Sequence, residues 1–137
     1  MIVSAGVVVV RRDEGAWKYL LLRAYKLWDF PKGEPEPGED LFDTARREVQ
    51  EETGIRRLDF AWGRDFVETE PYRNGQKIAR YYLAETKEIR VVFSINPEIG
   101  RPEHVEHRWM TADEAKGLVP ERLQPVLEWA RRKLEKA

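Results

Sequence analysis

The chain has 137 residues, of which 42% are hydrophobic and 36% are charged, so it can fill the core of one domain. The formal net charge of −1 provides no global basic field for long nucleic acid. Disulfides and thiolate metal sites are excluded because the sequence contains no cysteine. No run approaches the roughly 20 apolar residues of a membrane span. We therefore expect one domain over residues 1–137, with the cytoplasm as its default location.

The first half of the chain predicts two strands, a loop and a helix. The runs "IVSAGVVVVRR" and "KYLLLRAY" predict strands that could form a hairpin across "DEGAW". Three prolines predict a loop in "WDFPKGEPEPGED", because proline is excluded from regular helix and from central strands. A helix is expected over "LFDTARREVQEETG", with Asp40 or Asp43 as its N-cap and Gly54 at its C-terminal end.

The second half predicts further strands followed by helices. Strand-like runs cover residues 58–69, 77–85 and 88–94. The Asn74-Gly75 pair is typical of a hairpin, and "GRPEHVEHRWM" indicates extended structure. Thr111 and Glu114 form a capping-box pattern at a short helix, and residues 120–135 predict an amphipathic helix. Mixed strands with one early helix and one or two late helices predict an α/β (α+β) fold.

Three carboxylates share one side of the early helix, because Glu48, Glu51 and Glu52 are spaced as helical neighbours. A separate apolar stripe consists of Phe42, Ala45 and Val49. Like charges at this spacing repel by a few tenths of a kcal/mol per pair. A hard divalent cation such as Mg²⁺ or Mn²⁺ would remove that cost, since carboxylate oxygens are its preferred ligands. The alternative interpretation is a solvated acidic helix face, which is common.

The sequence around these carboxylates favours the metal interpretation. The segment "GEPEPGEDLFDTARREVQEETGI" resembles the Nudix box, which is Gly, five residues, Glu, seven residues, then Arg-Glu-aliphatic-any-Glu-Glu-any-Gly-aliphatic. All specified positions are met, by Gly33, Glu39, Arg47, Glu48, Val49, Glu51, Glu52, Gly54 and Ile55. The order of strands and helices also fits the fold of that family, a mixed β-sheet sandwiched between α-helices.

The resemblance implies hydrolysis of a nucleoside diphosphate linked to another group, with Mg²⁺, or Mn²⁺, as cofactor. The expected partner is a small-molecule nucleotide substrate, without long nucleic acid or membrane, and the expected state is a monomer or dimer. The metal ligands that it implies are Glu48, Glu51, Glu52 and the carbonyl of Gly33. It further implies that Arg47 orients Glu48 or Glu51 and that Glu39 has a structural role in the loop. Glu48 is a candidate general base. Lys32 is expected to contact phosphate, the alternative being a solvated loop lysine.

Segments outside the box resemble one subgroup of the family, the asymmetrical diadenosine tetraphosphate hydrolases. These segments are "WDFPKGEPEPGED", "YYLAE" and "RPEHVEHRWM". The likeness implies that Glu103 approaches the metal cluster and joins the catalytic residues. Pro102 and Glu34 stand where many members have histidine, and these departures bear on substrate preference. Tyr72 and Tyr82 are candidates to stack on adenine, with packing in the sheet as the alternative.

The combined pattern predicts an enzyme that cuts dinucleoside polyphosphates asymmetrically, releasing ATP and AMP from diadenosine tetraphosphate. An enzymatic alternative is removal of pyrophosphate from the 5′ end of RNA, and other nucleoside-diphosphate-linked substrates stand behind it. A hypothesis of a different class is a non-catalytic nucleotide sensor on the same fold. The sensor is disfavoured because no glutamate of the box is missing.

Overall fold

A computed structural model describes residues 1–136, which form seven strands and three α-helices. The strands are β1 (Ile2–Asp13), β2 (Ala16–Ala24), β3 (Leu27–Asp29), β4 (Lys32–Gly33), β5 (Val67–Glu68), β6 (Lys77–Glu85) and β7 (Glu106–Met110). The helices are α1 (Leu41–Thr53), α2 (Ala112–Leu118) and α3 (Gln124–Glu135), with a 3-10 turn at Glu121–Leu123 before α3. The predicted mixed α+β fold is confirmed.

The seven strands form one sheet in which β1 is central. The main strand order is β3-β2-β1-β6-β5, while β4 pairs with β1 and β7 pairs with β2. The pairing of β1 with β6 is parallel, from Ile2 opposite Lys77 to Val10 opposite Glu85, and the other pairs are antiparallel. The predicted β1–β2 hairpin is present, and its last paired residues are Asp13 and Ala16.

Both faces of the sheet are covered, which explains the continuous apolar run of β1. Val7 and Val9 belong to a core cluster with the apolar stripe of α1. Val8 and Val10 belong to a second cluster with residues of α2 and α3. A strand buried on both faces does not alternate between apolar and polar residues. The apolar face predicted for residues 120–135 lies in the second cluster, as expected. None of the helices within residues 1–136 is long and apolar enough to cross a membrane.

The boundaries of α1 follow from its local sequence. Asp40 is the N-cap, and its Oδ1 accepts from the amides of Phe42 at 2.7 Å and Asp43 at 3.3 Å. Gly54 ends the helix in the left-handed region at φ 79°, where glycine is favoured, and its amide donates to the Gln50 carbonyl. The choice between Asp40 and Asp43 is therefore settled, and the predicted helix is confirmed. The predicted capping box of α2 is confirmed as well.

The predicted loop over residues 28–40 is only partly correct, because it contains the end of β3 and all of β4. Lys32 pairs with Gly6 and Gly33 pairs with Ala5, both on β1. A β-carbon on Gly6 would overlap the carbonyl oxygen of Pro31. Because Gly6 has no side chain, the segment that contains Pro31 can lie close enough to β1 for β4 to pair with it.

The predicted strand over residues 58–69 is mostly wrong. Only Val67–Glu68 forms a strand there, and Asp59 makes an isolated bridge to β6. A turn interrupts the run, with Gly63 at φ 83°. Trp62 within this turn packs edge-on against Trp17 of β2, at 5.8 Å between ring centroids. The apolar pattern of this run therefore reflects packing on the sheet and not pairing within it.

Residues 88–94 form no strand in the part of the chain that the structure describes, so this prediction is wrong. The amide of Val92 donates to the carbonyl of Thr53 at the end of α1, at 2.9 Å. Val91 and Phe93 pack against the α1 side of the core. Half-buried and exposed side chains alternate over residues 91–94 as they would in a strand. The backbone of this segment, however, bonds to the end of α1 and not to another strand. The hairpin at Asn74-Gly75 is confirmed, since Tyr72 and Lys77 bridge across it.

We expect Asp40→Ala to lower the free energy of unfolding by about 0.5–2 kcal/mol, because two amides of the first turn lose their acceptor. Asp43→Ala is the matched control, since Asp43 lies in the same turn and accepts no capping bond in the described chain. That control should lose the weaker interaction with the helix dipole and an exposed ion pair with Arg46, each a few tenths of a kcal/mol. Urea unfolding at pH 7 measures both variants. Equal losses would contradict the assignment of Asp40 as the cap.

Candidate active site

A cleft of about 770 Å³ opens beside the acidic face of α1. Its charged lining comes from four parts of the chain that are distant in sequence: residues 32–34, 48–52, 77 and 98–103. The charged residues and the glycine among them are Lys32, Gly33, Glu34, Glu48, Glu51, Glu52, Lys77, Glu98 and Glu103. The remaining lining is mostly uncharged and comes largely from residues 93–97. Every metal ligand expected from the sequence lines this cleft.

The backbone of β4 lies directly against the carboxylates of α1. The amide of Lys32 donates to Oε1 of Glu52 at 3.0 Å. A β-carbon on Gly33 would overlap the carboxyl group of Glu48. Glycine at this position therefore allows the strand and the helix to approach, which is a physical reason for the glycine of the sequence motif. The Gly33 carbonyl and the Glu48 carboxylate reach the same cleft as a result.

Arg47 joins the loop before α1 to two carboxylates of the helix. Its Nε and Nη2 bind the two oxygens of Glu39 at 2.8 and 2.9 Å, in a bidentate pair. Its Nη1 donates to Glu48 Oε1 at 3.0 Å and to Glu51 Oε2 at 3.1 Å. Nη2 also donates to the carbonyl of Glu34. This geometry suits the expected orienting role, because a planar guanidinium fixes several acceptors at once.

Glu39 acts on the loop rather than on the cleft, whose lining it does not join. Hydrogen bonds from Arg47, then from Thr44, lower the pKa of Glu39 to about 2. The hydroxyl of Thr44 lies 2.7 Å from Oε1, and the amide of Glu36 donates to the same oxygen. An ionised Glu39 therefore holds the loop to α1, which agrees with the structural role expected for it.

Glu52 is a half-buried carboxylate whose charge is poorly compensated. Burial raises the pKa of Glu52 well above its ordinary value, and the nearby charges of Glu48 and Glu103 raise it further. Burial raises the pKa of Glu48 as well. A positive ion would relieve this cost, because a charge held out of water needs a partner. Glu51 is more exposed, at 54% of its side chain, and also lines the cleft.

The donor atoms of the cleft fit a divalent cation. Ligand atoms of Glu52, Glu103 and His104 lie within 4.8 Å of one another. Oxygen donors from carboxylates suit a hard ion such as Mg²⁺, and an imidazole nitrogen suits transition metals. Burial lowers the pKa of His104, which favours the neutral imidazole that a metal ligand requires. The sequence left open whether His104 is a polar contact or a surface residue, and the structure places it in the cleft.

The side chain of Lys32 forms an ion pair with Asp29, a residue that the sequence did not mark as functional. The ammonium nitrogen lies 3.3 Å from Asp29 Oδ2, to which Arg122 also donates at 3.2 Å. The hydroxyl of Tyr81 donates to Asp29 Oδ1 at 2.7 Å. Burial lowers the pKa of Lys32. The charge and hydrogen bond of Asp29, together with Tyr72 and Glu52, raise it by more, so the pKa is raised overall. Lys32 is therefore a charged group in the cleft and not a solvated loop lysine.

Lys77 is a second cation of the cleft that the sequence analysis missed. It begins β6, and its ammonium nitrogen lies 3.4 Å from Glu34 Oε2. The parallel pairing with Ile2 of β1 places it at this end of the sheet. Nothing local in the sequence marks this lysine, because its position depends on a strand pairing across about half of the chain. The cleft thus presents two ammonium groups beside its carboxylates.

The two tyrosines expected to stack on adenine do not line the cleft. Tyr82 is 4% exposed and lies edge-on to Phe42, with ring centroids 5.1 Å apart. Tyr72 packs against the opposite core cluster, and the guanidinium of Arg122 lies 4.6 Å from its ring centroid. The structure therefore places neither ring in the cleft, and both rings pack against the core clusters of the sheet.

Comparisons with known proteins agree with this geometry. The model of the NUDIX domain family matches residues 2–130. The asymmetrical bis(5′-nucleosyl)-tetraphosphatase of Rattus norvegicus is 34% identical over 123 residues, which cover 82% of this chain and 80% of that protein. A crystal structure of a C. elegans Ap4A hydrolase binary complex aligns with a TM-score of 0.81 and 25% identity, covering 98% and 99% of the two chains. An RNA pyrophosphohydrolase of Bartonella bacilliformis is 37% identical over 63 residues, which cover 40% of this chain and 37% of that protein.

In the absence of divalent metal, we expect Glu52→Gln to raise the free energy of unfolding at neutral pH. The folded-state pKa of Glu52 lies above its ordinary value of 4.5, so its ionisation costs stability as the pH rises through that interval. The gain from the substitution should be absent below pH 4.5 and should grow as the pH increases. Urea unfolding in EDTA at pH 4 and pH 8 measures it.

Glu70→Gln is the control for this experiment, because Glu70 is exposed and does not line the cleft. It should leave the pH dependence unchanged. Adding Mg²⁺ at pH 8 should stabilise the wild-type protein more than Glu52→Gln, since the variant has lost a charged donor. The stability of the wild type and that of Glu52→Gln could instead respond equally to both pH and Mg²⁺. Glu52 would then not be a ligand of the metal site.

We expect Gly33→Ala to weaken divalent-metal binding by about 10- to 100-fold, the range found when a contact that supports a ligand is lost. The new methyl group would displace the Glu48 carboxyl group. Gly117→Ala is the control, because a β-carbon there meets no heavy atom within 4 Å. Inside α2 that change should stabilise the protein by about 0.5–1 kcal/mol. Calorimetric titration with Mn²⁺ measures both, and unchanged affinity in Gly33→Ala would contradict the close approach of β4 and α1.

Proposed function

The chain belongs to the NUDIX family, and we propose that it hydrolyses a pyrophosphate bond of dinucleoside polyphosphates, cutting diadenosine tetraphosphate to ATP and AMP. The observation that carries the proposal is the cleft in which the carboxylates of α1, two of them half-buried, lie beside Lys32 and Lys77. A polyphosphate is a chain of anions, and it requires cations along its length. The similarity to bis(5′-nucleosyl)-tetraphosphatases over 82% of the chain supports this substrate class.

NUDIX hydrolases generally use divalent metal ions, and we propose Mg²⁺, with Mn²⁺ as the alternative, for this chain. The residues that would hold the ion are Glu48, Glu51, Glu52, Glu103 and the carbonyl of Gly33. When bound, the ion neutralises phosphate oxygens and stabilises the charge of the transition state. The raised pKa of Glu52 supports this assignment, because it indicates a buried carboxylate without sufficient positive charge around it.

The two lysines bind the phosphates in this proposal. Lys32 is fixed by Asp29 and presents its charge to the cleft, while Lys77 exchanges its contact with Glu34 for a phosphate oxygen. Glu34 is the more exposed partner of that ion pair, so its carboxylate can return to water at small cost. Preorganised cations of this kind lower the barrier because they need not reorganise during the reaction.

Glu48 is the general base in this proposal and accepts a proton from the attacking water. Arg47 bonds to Oε1 of Glu48, so we assign the proton to Oε2. Burial raises the pKa of Glu48 towards the operating pH, which strengthens a carboxylate as a base. Arg47 is a positioning residue for Glu48 and Glu51. Glu103, in the segment before β7, lies beside Glu52 and His104 and adds a further carboxylate to the reacting centre in this proposal.

A second candidate function is removal of pyrophosphate from the 5′ end of RNA. It is supported by the match to an RNA pyrophosphohydrolase, which spans 40% of this chain. The same carboxylates and lysines would serve that reaction. The net charge of −1 offers no extended basic surface to an RNA, so contact would be confined to the terminal nucleotide. We place this reaction second because the tetraphosphatase match covers about twice as much of the chain.

Product chromatography after incubation with Mg²⁺ tests the proposal. The substrates are diadenosine tetraphosphate, a 5′-triphosphorylated RNA and a nucleotide sugar. We expect ATP and AMP in equal amounts from the first, at a higher kcat/KM than from the other two. Glu48→Gln should lower kcat by about 10²–10⁴-fold, the usual contribution of a general base.

Glu70→Gln is again the control, and it should retain wild-type rates. Pyrophosphate released from RNA at a higher kcat/KM would favour the second function. No turnover of any substrate with either Mg²⁺ or Mn²⁺ would reject both enzymatic proposals and favour a nucleotide sensor.

A further inference from the structure

One part of the cleft carries no charge, in contrast to the rest of its lining. We call this part the uncharged wall and define it as residues 93–97, which are Phe93, Ser94, Ile95, Asn96 and Pro97. Ile95 is 67% exposed, although it is a large apolar residue. An exposed apolar surface inside a binding cleft indicates a ligand group that gains from leaving water. The carboxylates and lysines of the same cleft cannot provide that surface.

The uncharged wall is fixed to the elements that carry the carboxylates. The amide of Val92 donates to the carbonyl of Thr53, at the end of α1. The indole Nε1 of Trp109 on β7 donates to the carbonyl of Ile89 at 3.0 Å. Within the wall, Asn96 forms a bridge with Arg101 that closes a turn. The position of the wall relative to Glu48 and Glu52 is therefore set on its N-terminal side, where Val92 binds the end of α1 and Ile89 binds β7.

Phe93 is the aromatic residue of the uncharged wall. It is half-buried and packs against the core on the α1 side, so its ring is supported from within. The ring centroid lies 6.3 Å from that of His104, with an angle of 35° between the planes. His107 packs against it edge-on at 6.1 Å. Among the described residues, Phe93 and His104 are the aromatic side chains that line the cleft.

We infer that Phe93 is the surface on which a nucleobase of the substrate stacks, and that the uncharged wall determines base affinity in this chain. The inference rests on the proposed function and deepens it, because it separates the recognition of the base from that of the phosphates. A base is flat and uncharged and gains by stacking on a supported ring. The polyphosphate occupies the charged part of the cleft, while the base meets the wall that Val92 holds beside α1.

The test compares two ligands that share the phosphate chain but not the base. One is a diadenosine tetraphosphate analogue with a non-hydrolysable methylene bridge, and the other is inorganic tripolyphosphate, each titrated calorimetrically in Mg²⁺. Phe93→Ala should weaken binding of the dinucleotide analogue by about 5- to 150-fold, which is the loss expected for one stacked base. Binding of tripolyphosphate should not change. Phe93→Trp should retain the affinity of the wild type for both ligands.

Tyr25→Ala is the matched control, because Tyr25 is an aromatic residue with 78% exposure that does not line the cleft. It should leave both affinities unchanged. Phe93→Leu replaces the alanine variant where that variant does not fold, since leucine keeps apolar volume but lacks a flat ring. Equal losses for the two ligands, or no loss for the dinucleotide analogue, would overturn the inference.

The two proposals fail in different ways. A wild-type protein that turns over diadenosine tetraphosphate, with an unchanged affinity in Phe93→Ala, retains the proposed function and loses the inference. A wild-type protein that cleaves no substrate but binds the dinucleotide analogue through Phe93 retains the inference and loses the proposed reaction. The binding and turnover measurements therefore test the two statements separately.

Discussion

The site depends on one close approach, between the backbone of β4 and the acidic face of α1. The amide of Lys32 binds Glu52, and the bare α-carbon of Gly33 lies against Glu48. The pairing of β4 with β1 brings the strand to that position, and the missing side chain of Gly6 permits the pairing. Removing any part of this arrangement would separate the cation of Lys32 from the carboxylates it faces. The sheet thus determines the charge pattern of the cleft.

The charges around α1 are compensated unevenly, and the imbalance lies on the side of the helix where we propose that the chemistry occurs. Arg47 satisfies Glu39 fully, and the pKa of Glu39 falls to about 2. On the inner side, burial and repulsion raise the pKa of Glu52, and only one backbone amide and Lys32 oppose them. A network with only a structural role would stabilise the ionised forms of both Glu39 and Glu52. The chain instead keeps one carboxylate destabilised where a cation and a phosphate chain can enter, as is common at functional sites.

The sequence allowed α1 and its carboxylates to be predicted because the signals are local. Each signal acts over a few residues: Asp40 caps the helix, the glutamate spacing gives its acidic face, and Gly54 ends it. All three features could therefore be predicted from the local sequence. Lys77 and the two-residue strand β4 depend on pairings with β1 that have no local signature. Tyr82 illustrates a further limit, because its face of the sheet is decided by the register of β6, and a shift of one residue would reverse it.

The division of the cleft has a consequence for how substrate preference is encoded. Three of the carboxylates and Arg47 lie on α1, where a substitution disturbs several contacts at once. The uncharged wall lies in a long connection without regular structure between β6 and β7, in which Phe93 packs against the core and Ile95 is 67% exposed. Loops of this kind accept changes that helices and central strands do not. Base preference can therefore vary at Phe93 and Ile95 while the phosphate chemistry on α1 stays constant, which is how one fold serves several substrates.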